Sequence, residues 1–328
     1  MTRRLDLLRI VLVTRKTPLE LLIERHGTVG QVRFYLESKG QRLDPYDEVQ
    51  AQHDAAMATI LRAIPPEQPR TRLDRSQLDR FVFNADDLVV VVGQDGLVPN
   101  VAKYLDNQLA IGVNPDPSHY DGILCAHPPG GFADVLAWAR TRDGRFAVQQ
   151  RVMALARRED GQTLRALNEF YLGSQTHQSA RYVLQAGERR ERQSSSGILV
   201  GTGTGSTGWC LSVARQRGLE ARLPAPEERR LVWFVREPWP SCTTKTDLDF
   251  GELTEEQELV VTSELGEHGV IFADGIETDW MEFLDGQTVR ITIAPAGLQL
   301  VMPPSRAARQ SGGAASARLD TASPESLR

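Results

Sequence analysis

Leu88-Val-Val-Val-Val-Gly-Gln-Asp-Gly-Leu-Val-Pro-Asn-Val-Ala-Lys-Tyr-Leu105 decides the fold of this 328-residue chain. Its first five residues are apolar and four are β-branched, the pattern of a strand buried on both faces of a parallel sheet. Gly93-Gln94-Asp95-Gly96 then turns the chain, and Pro99 with the Val101, Leu105 spacing starts a helix. A glycine-bearing turn between a buried strand and a helix leaves backbone N–H groups pointing outward, where phosphate binds well. A carboxylate beside such a site is repelled unless it binds a metal or accepts a proton or hydrogen bond from a substrate hydroxyl. The alternative is a turn in which Asp95 bonds its own backbone and the glycines supply positive φ.

Working outward, Leu8–Val13 is an earlier apolar strand that ends at the basic run Thr14-Arg15-Lys16-Thr17-Pro18. Arg15 and Lys16 could meet phosphate there, since open α/β sheets bind ligands at the C-terminal strand edge, or they could sit in a solvated loop. Segments 29–39 and 45–64 carry helical spacing, and 70–87 holds a short helix and strand. Leu109–Val113 is another buried strand. The sum is a doubly wound parallel α/β sheet. Past Pro128-Pro-Gly-Gly131 and a helix at Phe132–Arg140 the pattern changes to alternating strands, as in Val289, Ile291 and Ile293. Val148, Val152 and Ala154 alternate similarly, and Val270–Ala273 and Leu298–Met302 are short strands beside turn signals. The fold expected is therefore a Rossmann-like parallel α/β domain followed by an antiparallel β-sandwich-like domain. Their ranges are 1–135 and 136–305, with 306–328, small and polar, as a disordered tail. The run Glu188-Arg-Arg-Glu-Arg192 reads as a solvated hairpin tip.

Composition narrows the function. Apolar content of 41% and charge of 25% are those of an ordinary soluble protein, and a net charge of -5 argues against nucleic acid as a partner. No apolar run is long enough to span a membrane, and the start is too short and mixed for a signal peptide, so a cytoplasmic protein is expected. Cys125, Cys210 and Cys242 are odd in number and far apart, which implies neither a disulfide framework nor a zinc site. The six histidines show no ligand spacing.

A second glycine-rich stretch runs Ser194-Ser-Ser-Gly-Ile-Leu-Val-Gly-Thr-Gly-Thr-Gly-Ser-Thr-Gly-Trp209. Its strand, Ile198–Val200, enters a loop whose hydroxyls at Thr202, Thr204, Ser206 and Thr207 can donate to phosphate or ribose oxygens. Between the two loops lies Leu167-Asn168-Glu169-Phe170, a polar pair amid apolar residues that needs partners.

In this order the three motifs resemble the NAD kinases. Gly93-Gln94-Asp95-Gly96-Leu97 stands where that family has Gly-Gly-Asp-Gly-Thr, and Asn168-Glu169 matches its Asn-Glu pair. Thr202-Gly-Thr-Gly-Ser-Thr-Gly-Trp209 matches its Thr-Pro-Thr-Gly-Ser-Thr-Ala-Tyr loop. The likeness covers roughly residues 8–302 and is stronger toward the branch typified by the mitochondrial NAD kinase. That branch also has a basic Lys-Thr after the first strand and a Gly-Val-Asn-x-Asp-Pro like Gly112-Val-Asn-Pro-Asp-Pro117 here, which includes Asn114.

The resemblance implies phosphoryl transfer from ATP, with Mg²⁺, to the 2′-hydroxyl of the adenosine ribose of NAD. It implies a homo-oligomer and no protein-fixed metal. By position, Asp95 accepts the hydroxyl proton, and Gly93 and Gly96 give the phosphates backbone access beside Gln94 and Leu97. Asn168 and Glu169 hold the ribose or base, and Thr207, Gly208, Trp209 and Ser212 line the base pockets. Gln94 replaces a glycine, Leu97 a threonine, and Gly208-Trp209 an Ala-Tyr pair; Ser196 stands where bacterial members carry aspartate. These changes touch substrate fit and leave Asp95 in place. They keep open a kinase of the same fold with another small-molecule hydroxyl acceptor (a nucleoside, sugar or metabolite), or a non-catalytic nucleotide-binding module.

Overall fold

The computed structural model describes residues 8–141 and 146–303. In chain order the first half runs β1 (Ile10–Thr14), α1 (Pro18–His26), α2 (Val29–Ser38), α3 (Asp44–Ala63), β2 (Arg70–Asp74), β3 (Leu88–Val92), α4 (Leu97–Ala102), β4 (Leu109–Val113), α5 (Phe132–Thr141) and β5 (Ala147–Arg151). There follow β6 (Ala154–Arg158), β7 (Thr163–Ala166), β8 (Glu169–Ser174), β9 (Ala180–Ala186), β10 (Arg189–Ser195), β11 (Ile198–Gly201) and α6 (Trp209–Arg217). The chain ends with β12 (Leu231–Val235), β13 (Phe250–Leu253), β14 (Leu259–Ser263), β15 (Gly269–Ala273), β16 (Ile276–Glu282), β17 (Thr288–Ile293) and β18 (Leu298–Met302).

Among the described residues these strands form three six-stranded sheets. The first has the order β2-β1-β3-β4-β18-β5 and is parallel except for β5. Its central strands β1, β3 and β4 are buried at every position, as their unbroken apolar runs require. One face carries α3 and α5 through Met57, Ile60, Phe132 and Trp138. The other carries α4 and residues of the second half, Met153, Leu167 and Ala294 among them. From β1 the chain steps one way to β2 and the other way to β3, so the point where strand order reverses lies between β1 and β3. Ligands bind open α/β sheets at that crevice.

The other sheets, β10-β9-β14-β17-β6-β7 and β13-β12-β11-β8-β15-β16, are antiparallel and pack face to face. β17 shows why: Val289, Ile291 and Ile293 turn into the shared core and the alternate residues turn out.

Two local expectations need correction, and one loop gains a definition. The run from Val148 to Ala154 is two strands, broken at Val152-Met153, and its halves join different sheets. Leu298–Met302, read with the β-rich half, crosses back and inserts in the first sheet between β4 and β5. The basic loop after β1 is short, because Thr17 caps a helix at once. Its side chain accepts from the Glu20 N–H while the Glu20 carboxylate accepts from the Thr17 N–H, with Pro18 at the first helical position. The tail expected at 306–328 lies outside the described residues. Among those described, no helix is long and apolar enough to cross a membrane.

Candidate active site

The turn after β3 is tight. Leu97 and Val98 donate their N–H groups to the carbonyls of Gln94 and Asp95, so α4 begins with two of its first donors already used. Neither Gly93 nor Gly96 has a positive φ, and Gly96 is ordinary right-handed backbone. Nothing lies within 4 Å of where a Gly96 side chain would stand, which leaves the backbone open to the space beside it.

Asp95 faces a different loop. Its Oδ2 accepts from the N–H of Ile123 (2.8 Å), and its Oδ1 from those of Leu124 (3.0 Å) and Cys125 (2.8 Å). Three donors on one carboxylate fix both it and the loop, and leave part of its acceptor capacity unused. The loop comes from β4: Asn114 donates from Nδ2 to the Tyr120 carbonyl (2.7 Å) and from its N–H to the His127 carbonyl (2.9 Å). Gly112 lets it lie flat, since a side chain there would stand 2.2 Å from the Leu124 carbonyl oxygen. Gly93, Gln94, Asp95, Gly96, Asn114, Tyr120 and Asp121 surround a cavity of about 310 Å³. A second hollow of about 120 Å³ shares Gly93, Gln94 and Tyr120 and reaches Arg15, Lys16 and the buried His53. The two occupy the C-terminal edge of β1, β3 and β4, where a ligand was expected. Lys16 there is paired with Glu24 at 2.7 Å.

Leu97 does not join this cavity. It is 1% exposed and packs in the core against Gly93, with Leu167 and Leu124 in the same cluster. Leu167 also holds the second glycine-rich loop, none of whose residues lines the Asp95 cavity. Thr202 donates its hydroxyl to the Leu167 carbonyl and accepts from the N–H groups of Thr204 and Gly205. Ser206 donates to the Thr202 carbonyl and Thr207 to the Thr204 carbonyl. Three of the four hydroxyls expected to donate to a ligand therefore hold the loop instead. Thr204, 5% exposed, has an Oγ1 with no partner. The glycines serve close approach: a side chain at Gly203 would stand 1.9 Å from the Ala225 carbonyl oxygen, and one at Gly205 2.2 Å from that of Asn168.

Asn168 and Glu169 enter β8 under the control of a residue the sequence marked only as a turn. Asp274, at φ 57°, accepts from the N–H groups of Asn168 (2.6 Å), Leu167 (3.2 Å) and Glu169 (3.4 Å). The Asp274 N–H donates back to the Glu169 carbonyl at 3.0 Å. Burial pushes the Glu169 carboxyl up to about 7, and the Asp274 charge adds to the shift. Burial raises Asp274 to about 6, against the pull of its backbone donors and Lys103. Burial also pushes the thiols of Cys125 and Cys210 up, away from the thiolate form.

Gly208 and Ser212 are exposed, and Trp209 turns into a separate cleft. It stacks on Tyr171 (5.9 Å between centroids, 12° between planes) with the Arg236 guanidinium 5.1 Å above it. Tyr171, Phe272 and Trp280 line this hollow of about 210 Å³, which shares no residue with the Asp95 cavity. Among the described residues no group of three or more His, Cys, Asp or Glu could hold a metal ion. Asp95 and Asp121 are the carboxylates lining the cavity, a fit for the one or two that Mg²⁺ takes when it arrives on a polyphosphate.

No protein-family model and no curated protein sequence matches the chain. Solved structures do. A yeast NADH kinase complexed with NADH superposes at a TM-score of 0.55 and 13% identity, over 98% of this chain and 91% of that one. An NAD kinase from Archaeoglobus fulgidus in complex with ATP does so at 0.53 and 18%, over 93% and 98%. The chain has an NAD kinase-like fold, with a mixed, mainly parallel sheet and helices first and antiparallel sheets after it.

Proposed function

We propose that this chain is an ATP-dependent kinase that phosphorylates the 2′-hydroxyl of the adenosine ribose of NAD to give NADP. The observation that carries the reading is the Asp95 carboxylate, held by three N–H donors on the wall of the cavity at the C-terminal edge of the parallel sheet. Phosphoryl transfer has a loose transition state and needs in-line positioning and charge neutralisation more than covalent help. In this reading Asp95 accepts the acceptor hydroxyl's proton. The open backbone at Gly96 receives the polyphosphate, while Gly93 lines the cavity with its N–H already given to the Val113 carbonyl, and Asn168 and Glu169 take the ribose hydroxyls or base. Mg²⁺ would neutralise the phosphates between Asp95 and Asp121. The ligands in the two structural neighbours, NADH and ATP, are the two classes this reading requires. A homo-oligomer in the cytoplasm belongs to the same proposal.

The test is incubation with ATP, Mg²⁺ and NAD, with NADP read by an NADP-specific dehydrogenase. NADP that forms with the wild type and not with Asp95→Asn supports the reading. A second reading, another hydroxyl acceptor, is favoured by one feature. Gln94 is exposed and lines both hollows, so the phosphate approach is narrower than a glycine would leave it. Thermal stabilisation by ATP without NADP formation would select it.

A further inference from the structure

Arg151 closes β5 at the joint between the two halves and is 5% exposed. Register places it opposite Leu298, with Gln149 opposite Leu300, so both side chains project from the face that meets α4 and the second half. The next residue, Val152, donates its N–H to the Pro226 carbonyl (3.1 Å), and Ala225-Pro226 lies against Gly203 of the Thr202–Ser206 loop. The carboxylates of Glu227 and Asp95 are the charges that sustain the Arg151 guanidinium against burial.

Its bonding is incomplete. Arg165, in the same joint, spends its NH1 and NH2 on the carbonyls of Leu105 and Ala296, as a structural arginine does. The Nε of Arg151 is buried with no partner, and so are Oε1 of Gln149 and Oγ1 of Thr204. A buried guanidinium donor without an acceptor is costly, and its retention calls for a reason, of which a group that arrives to complete it is one. Planar, always charged and rich in donors, a guanidinium suits phosphoryl oxygens.

We propose that Arg151 donates hydrogen bonds to the oxygens of the transferring phosphoryl group, at the joint between the two halves of the molecule. This rests on the kinase reading. In the step, the acceptor oxygen bonds to phosphorus as the bond from phosphorus to the bridging oxygen of ATP breaks. The bridging oxygen keeps the electron pair and leaves as ADP, and the hydroxyl proton passes to Asp95. Arg151 is not consumed; it offsets the charge spread over the equatorial oxygens.

The experiment compares wild type, Arg151→Lys, Arg151→Met and Arg151→Ala, each checked for cooperative melting. Arg151→Ala should lose at least 100-fold in kcat with KM for NAD within about threefold, on the scale of arginine contributions to phosphoryl transfer. Added guanidinium ion should restore Arg151→Ala at least tenfold without raising the wild type, and Arg151→Lys should fall between. An Arg151→Ala enzyme within threefold of wild type overturns the proposal, and so does a loss that guanidinium fails to rescue. Should wild type make no NADP, the NAD kinase reading fails by itself. Calorimetry with inorganic tripolyphosphate then decides on Arg151: binding at least tenfold weaker in Arg151→Met supports the contact, and equal binding overturns it.

Discussion

Replacing Glu169 by Gln should stabilise the protein above neutral pH while damaging its activity. Glu169 is half-buried, and burial together with the Asp274 charge lifts its carboxyl from 4.5 to about 7. Below pH 4.5 the group is protonated in both the folded and unfolded chain, so an amide of the same shape changes little. As pH rises from 4.5 the unfolded chain releases its proton and the folded one retains it, so wild type loses stability relative to the variant until pH passes about 7. Each pH unit is worth about 1.4 kcal/mol, which makes the full interval about 3 kcal/mol. Solvent around the half-buried side chain reduces this to about 2 kcal/mol. For a chain of this size that raises the melting temperature by about 3 °C at pH 8. Melts at pH 4.5 and pH 8 at constant ionic strength measure it. A shift equal at both values, or destabilisation at pH 8, would refute the assignment of Glu169 as a carboxylate held against its preference. Activity should move the other way, because an amide replaces an acceptor for ribose hydroxyls; stability given up at a site is commonly recovered when the site is neutralised.

Asp95→Asn should lower stability by about 1–3 kcal/mol besides abolishing turnover, because an amide NH₂ must oppose at least one of the N–H donors of Ile123, Leu124 and Cys125. Hydrogen exchange at those amides should rise in the variant, and unchanged protection would contradict the bonding. Gly203→Ala forces a methyl against the Ala225 carbonyl, 1.9 Å from its oxygen, and should cost about 1–3 kcal/mol in chemical denaturation. It should weaken nucleotide binding too, since the 225–227 turn and the Thr204 loop move together. Deleting Leu298–Met302 removes the strand between β4 and the edge strand β5 of the first sheet. The shortened chain should be aggregated on size exclusion; a monodisperse, cooperatively melting product would refute the sheet order.

What the sequence disclosed follows the range of its signals. The buried strands around Val89–Val92 and Leu109–Val113 are local apolar runs that, with the alternating strands after them, carried the fold class, and the order of three motifs along the chain carried the family resemblance. The first sheet's far edge was not legible. Leu298–Met302 has the same alternating look as its neighbours, and only pairing across roughly 190 residues with Leu109–Ile111 tells it from a sandwich strand. The α1 helix was legible in principle, since Thr17-Pro18-Leu19-Glu20 is a capping box with proline at the first position. At the site, residue types marked Asp95, Asn168 and Glu169, while Asp274 and Arg151 stayed hidden. Asp274 looks like any Asp-Gly turn until its carboxylate is seen to gather three N–H groups. Leu97 was misplaced for the opposite reason: adjacency to the motif put it in the cavity, but helical phase turns it into the core.

The two readings of Asp95 drawn from sequence, a turn-forming residue and a chemical group, are not alternatives in the folded chain. A carboxylate that bonded only its own turn would leave the 120–125 loop without its three acceptor contacts, and that loop forms one wall of the cavity. A carboxylate that served only a substrate would stand unbonded between turns when the cavity is empty, at the cost of ordering a free side chain. Three backbone donors settle both demands by fixing its orientation before any ligand arrives, which is the preorganisation that phosphoryl transfer rewards. Asp274 repeats the device across the cleft, holding Asn168 and Glu169 by their own N–H groups. Each half of the molecule thus anchors one acidic side chain on the backbone of a neighbouring segment. Arg151, buried at the joint between them with its Nε unpartnered, is the donor that the proposal gives to a phosphate.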